Sequence, residues 1–105
     1  MLIVTTETIA GKEILEVKGL VRGSTIRSKH LGNDIAAAFK NLAGGELNSY
    51  NDMLTEARQI AIGRMVEDAQ SKGANAIIGM RLMSSSVMNG AAEMVAYGTA
   101  VVIND

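Results

Sequence analysis

Three observations on this 105-residue chain predict an α+β fold, a two-layer subunit with an antiparallel sheet packed on one long and one short helix. Stretches with the two-residue period of strands lie towards both ends, and a long segment with helical spacing lies between them. The chain is also too short to cover both faces of a parallel sheet with helices. Its length fits one domain, residues 1–105, able to bury roughly 65% of its unfolded surface.

The first element is a short strand at Leu2-Ile3-Val4, which runs through Thr5-Thr6 into a turn at Gly11-Lys12. Leu15, Val17, Gly19 and Val21 then alternate with Glu16, Lys18, Leu20 and Arg22, the pattern of a half-buried strand that continues past Gly23 to Arg27. Asn33 or Asp34 can cap a short helix carrying Ile35, Ala38, Phe39 and Leu42, with Gly44-Gly45 as its end and a flexible link. Ser49 and Asp52 make a capping-box-like start for the long helix. Its packed face is Tyr50, Met53, Leu54, Ala57, Ile60, Ala61, Met65 and Ala69, and Gly73 closes it as a left-handed cap. Arg64 and Asp68 stand at i,i+4 and are expected to pair.

Two strands finish the chain, Ala76 to about Met83 and Met94 to about Ile103, paired antiparallel across a loop that holds Ser84-Ser85-Ser86 and the turn dipeptide Asn89-Gly90. Both faces of these strands are apolar. Two helices cannot cover both faces, so neighbouring subunits are expected to cover the second, which makes the chain a homo-oligomer.

Composition excludes much chemistry. The chain has no Cys, one His and three aromatic residues, and 10 basic side chains nearly balance 11 acidic ones. Disulfides, thiolate metal sites and cysteine nucleophiles are therefore absent. A net charge of −1 without a basic run gives no attraction to nucleic acid or to an anionic membrane. Without a signal-like start or an apolar run of about 18 residues, the expectation is a cytoplasmic protein with no membrane span.

The segments Thr5-Thr6, Gly44-Gly45 with Tyr50, Glu56-Ala57-Arg58, Gly73 to Gly79 (Gly-Ala-Asn-Ala-Ile-Ile-Gly) and Gly98-Thr99-Ala100-Val101-Val102 together resemble the YbjQ family. This family comprises uncharacterised bacterial proteins that carry a heavy-metal-binding label. The resemblance implies a dodecin-like subunit assembled as a ring, a pentamer. It also implies a metal-binding role, although Arg81-Leu82-Met83 stands where many members carry an acidic residue.

Soft metals require thiolate, thioether or imidazole ligands. Here only His30 and the methionines remain. Met80, Met83, Met88 and Met94 fall in one hairpin, but Met80 and Met83 point to opposite faces, and methionine is foremost an adaptable core filler. His30 follows the polar run Arg27-Ser28-Lys29 and reads as a solvated loop residue unless symmetry gathers several copies. Arg22-Gly23-Ser24-Thr25 offers a guanidinium and hydroxyls to an anion without the context of a P-loop, and Gly23 reads more simply as a strand kink. The candidate ligand-binding residues are thus Arg22, Ser24, Arg27 and His30. No metal set or catalytic residue is assigned, and the cofactor is unknown. Ser84-Ser85-Ser86 has no base assigned to it, and Glu67-Asp68 is a solvated face. Three classes of function follow, in descending order: an oligomeric ligand- or metal-binding module, a structural or partner-binding assembly without a small-molecule ligand, and an enzyme with its site at subunit junctions.

Overall fold

Alternating side chains and turn glycines organise a four-stranded sheet with one helix laid across it, described for residues 1–28 and 45–105 by a computed structural model. The short helix expected around Ile35 to Leu42 lies outside the described residues, as do His30 and Gly44. In chain order the elements are β1 (Leu2–Ile3), β2 (Ile14–Ser28), α1 (Gly45–Ser71), β3 (Ala76–Met88) and β4 (Ala91–Ile103). The sheet order is β1-β3-β4-β2.

The sheet is mixed rather than antiparallel throughout. β4 runs antiparallel to β2 and β3, but β1 pairs parallel with β3, Leu2 opposite Ala76 and Ile3 opposite Ile77. A bulge secures that pairing. Gly79 adopts a φ of 61°, the register with β4 slips between Ile78 and Arg81, and the Gly79 and Met80 amides donate to the Thr6 and Val4 carbonyls at 2.8 and 3.0 Å. The opening segment thereby docks on an edge that would otherwise be bare.

The β3–β4 hairpin is longer than its alternation suggests. The Ser84-Ser85-Ser86 run lies within β3, opposite Met94, Glu93 and Ala92, so the expected loop shrinks to Asn89-Gly90, with Gly90 at a φ of 75°. Serines accept an edge strand where the ladder supplies the hydrogen bonds. The long helix likewise begins earlier than expected. Gly45 belongs to α1, and Ser49 to Asp52 lie inside it. Its far end follows the sequence: Gly73 has a φ of 79°, and the Gly73 and Ala74 amides donate to the Gln70 and Ala69 carbonyls, a Schellman closure.

The core lies between α1 and one face of the sheet. Ala57, Ala61, Met65 and Ala69 pack on Val21, Ile77, Met94, Ala96 and Ala100. Small residues on the helix let the two layers approach closely. Closest of all is Gly23, where a Cβ would overlap Ala61 O and Met65 N, so this glycine marks direct helix-on-strand contact rather than a kink. On the opposite face Ala76, Val101 and Ile103 are buried beneath Ile9 and Ile14. The chain's own opening turn therefore covers one end of the second face. Among the described residues no helix lies over the remainder.

Candidate functional site

β2 is a sheet edge, and its polar groups meet the flank of α1. The Arg22 amide donates to Asp68 Oδ2 at 3.2 Å, and Arg64 Nη1 donates to the Ser24 carbonyl at 2.6 Å. Arg27 Nη2 pairs with Glu56 Oε1 at 3.0 Å. The expected Arg64–Asp68 pair is replaced: Arg64 reaches across to β2, and Asp68 pairs with Lys72 Nζ at 3.0 Å. Asp68 is half-buried instead of belonging to a freely solvated face. The Lys72 hydrogen bond, followed by the Arg22 amide, holds its carboxyl below the ordinary value of 3.8. Helix side chains thus occupy strand groups that would otherwise invite another strand.

Of the candidate ligand residues, Arg22, Ser24 and Arg27 all stand on β2, whereas His30 lies outside the described residues. Val21 and Gly23 face α1, so Arg22 and Ser24 project from the opposite face, beside their register partners Tyr97 and Val95. Arg27 is on the helix side, held by Glu56. Arg22 and Ser24 therefore share the face opposite α1 while Arg27 does not.

That face is the most conspicuous chemical feature of the chain. From β2 it presents Val17, Leu20, Arg22, Ser24 and Ile26, and from β3 Arg81 and Met83, with Tyr97 at the centre opposite both arginines. Val17, Leu20, Ile26 and Met83 are exposed. Arg81 also ties down the opening segment, because its Nη1 donates to the Thr5 and Met80 carbonyls at 2.9 and 2.8 Å. The position where an acidic residue was looked for is thus a structural cation.

Among the described residues the donor set does not fit a heavy metal. Among the described residues no group of three His, Cys, Asp or Glu side chains converges. The thioethers are dispersed as well: Met94 and Met80 join the core beneath α1, while Met83 pairs with Val95 on the opposite face. The Gly-Ala-Asn-Ala segment proves structural. Asn75 Nδ2 donates to the Ile103 carbonyl at 3.0 Å and its Oδ1 accepts from the Ile103 amide at 2.8 Å, which extends the β3–β4 ladder by a side chain. Sequence reasoning missed this role, although an Asn directly before an apolar strand is the available signal. It also missed the Gly23 contact.

A family described as "Putative heavy-metal-binding", YbjQ, matches residues 1–104. The chain belongs to the YbjQ family. It is 74% identical over its full length to a UPF0145 protein of Clostridioides difficile strain 630, covering 94% of that protein. A UPF0145 protein of Pseudothermotoga lettingae is 62% identical over 103 residues, which span 98% of this chain and 97% of that protein. Among solved structures, a protein of unknown function from Pediococcus pentosaceus, assigned to the DUF74 family, superposes with a TM-score of 0.60 at 20% identity, covering 99% of this chain and 98% of that one. At that identity the likeness concerns the fold alone. No helix among the described residues is long and apolar enough to cross a membrane.

Proposed function

We propose that this protein works as a cytoplasmic homo-oligomeric ring, a pentamer of dodecin-like subunits as the family resemblance implies, that holds a small ligand or metal ion at the junctions between subunits. The observation that carries this reading is the sheet face opposite α1, where exposed Val17, Leu20, Ile26 and Met83 surround Arg22, Tyr97 and Arg81. Apolar side chains at this density call for a cover, and a junction between copies would enclose Arg22 and Ser24 as ligand contacts. Because no metal set converges among the described residues, this reading draws a metal site from donors repeated by symmetry, such as one His30 from each subunit.

A second reading is a structural assembly with no small-molecule ligand. It is favoured by the engagement of Arg27 with Glu56 and of Arg81 with main-chain carbonyls, which spends two of the cations that an anionic ligand would use. Native mass spectrometry of freshly purified protein separates the two. The first reading predicts a single oligomer with retained extra mass, and the second the same oligomer at the bare mass. A monomer overturns both.

A further inference from the structure

We infer that Asn89-Gly90, at the tip of the β3–β4 hairpin, is a site of spontaneous covalent modification, where the folded chain converts its asparagine into aspartate and isoaspartate. The inference is independent of the oligomeric reading above. Asn-Gly occurs once in the sequence. It forms the two-residue turn between Met88 and Ala91, with Gly90 at a φ of 75° and Asn89 exposed.

The chemistry needs two groups on adjacent residues. The Gly90 amide nitrogen, once deprotonated, attacks Asn89 Cγ, the bond from Cγ to Nδ2 breaks, and ammonia leaves with a proton taken from water. Glycine suits this step because it has no Cβ to obstruct the approach of its nitrogen. The product is a five-membered succinimide. One water molecule then opens the ring. Attack at the main-chain carbonyl carbon of Asn89 gives isoaspartate, in which the chain runs through the side chain, and attack at Cγ gives aspartate. One water is consumed and one ammonia released, and no electrons change hands. Residues 86–92 carry no titratable side chain, so the base that removes the Gly90 proton comes from solvent.

The fold separates Asn89 from the other asparagines. Asn51 lies inside α1, where the amide of the next residue belongs to the helical ladder. Asn75 has both ends of its carboxamide bonded to Ile103, at 3.0 and 2.8 Å, and Ala76 after it is fully buried. Asn104 Oδ1 accepts from the Glu13 amide at 2.8 Å. Among the described residues the Asn89 side chain has no hydrogen-bond partner, and Val87 and Met88 beside it are exposed. A hairpin tip with so little packing flexes readily, and flexing brings the Gly90 nitrogen onto Asn89 Cγ.

The product alters the hairpin. Either opening adds one negative charge to a chain of net charge −1. Isoaspartate also lengthens the main chain by one carbon between Met88 and Ala91, which now pair directly. That insertion loosens the tip and leaves the core of Ile77, Ala96 and Ala100 intact.

The test incubates the native chain for several weeks at neutral and at mildly alkaline pH and locates new acidic residues by peptide mass spectrometry, with electron-transfer fragmentation to separate isoaspartate from aspartate. Asn89 should convert about tenfold or more faster than Asn51, Asn75 or Asn104. Its rate should rise with pH, because deprotonation of the Gly90 amide precedes attack. Amide exchange in the converted chain should quicken at residues 86–92 and stay slow at Ile77 and Ala100. Gly90→Ala should slow the conversion several-fold. If that variant loses its fold by circular dichroism, the ranking of the four asparagines in the native chain decides alone. No conversion of Asn89, another of these asparagines converting as fast, a rate indifferent to pH, or a folded Gly90→Ala chain that reacts at the native rate overturns the assignment.

Discussion

The two ends of the β3–β4 hairpin obey different rules. At the proximal end Ile77 is sealed beneath α1 while Ala76, Val101 and Ile103 are packed with Ile9 and Ile14, so both faces of β3 and β4 are buried there by one chain, although Val17 and Leu20 on the neighbouring β2 stay exposed. At the distal end β3 exposes Leu82, Met83, Val87 and Met88. Apolar side chains line the strands at both ends, although Arg81, Ser84, Ser85, Ser86 and Glu93 also stand in the distal half. What differs is whether another described segment of the same chain reaches them, which makes the proximal end the more deeply buried of the two.

The sharpest way to break that comparison is Gly23→Ala. The added Cβ must displace the α1 backbone, and a cost of about 3 kcal/mol is expected, read as a lower urea midpoint. A loss below about 0.5 kcal/mol would show that α1 rests loosely on β2. Ile77→Ala follows, with an expected loss of about 3 kcal/mol because the side chain is fully buried. Met83→Ala, measured as a monomer in the same assay, should move stability by less than about 0.5 kcal/mol. Equal losses at the two positions would erase the distinction between the ends.

Asn75→Ala removes two hydrogen bonds to Ile103 and should cost about 1–2 kcal/mol, with faster amide exchange confined to the ends of β3 and β4. The smallest effect is Asp68→Asn. Partial exposure limits it to about 1 kcal/mol or less at neutral pH. The folded carboxyl titrates below its ordinary value, so its contribution is present above pH 3.8 and is lost as the pH falls through the depressed value. The stability difference between the native chain and the variant should therefore shrink on acidification, and a difference independent of pH would remove the assigned ion pair.

The long helix, the strand pairing of the hairpin and the Gly73 cap were legible because each depends on residues close together in the chain. The parallel β1 was not, since a two-residue strand has no period and finds its place only through Gly79, Met80 and Arg81, far away in sequence. The early start of α1 escaped because Ser49 to Asp52 suit a cap and Gly45 suits a stop, local preferences that give way once the helix has a sheet to pack on. Arg22, Ser24 and Arg27 were grouped by proximity along the chain, whereas alternation in β2 sends the first two to the open face and Arg27 towards α1.

The sequence by itself determined the kinds of element present and the chemistry that a chain without Cys and with a single His must forgo. It also showed that the last two strands are apolar on both faces. Only the tertiary structure decided which part of the second face the chain covers with its own opening turn, and that α1 packs directly on Gly23 while its side chains cap the β2 edge. The reason is physical: periodicity records which side chains avoid water, but the identity of the covering surface depends on contacts between segments that sequence spacing does not encode.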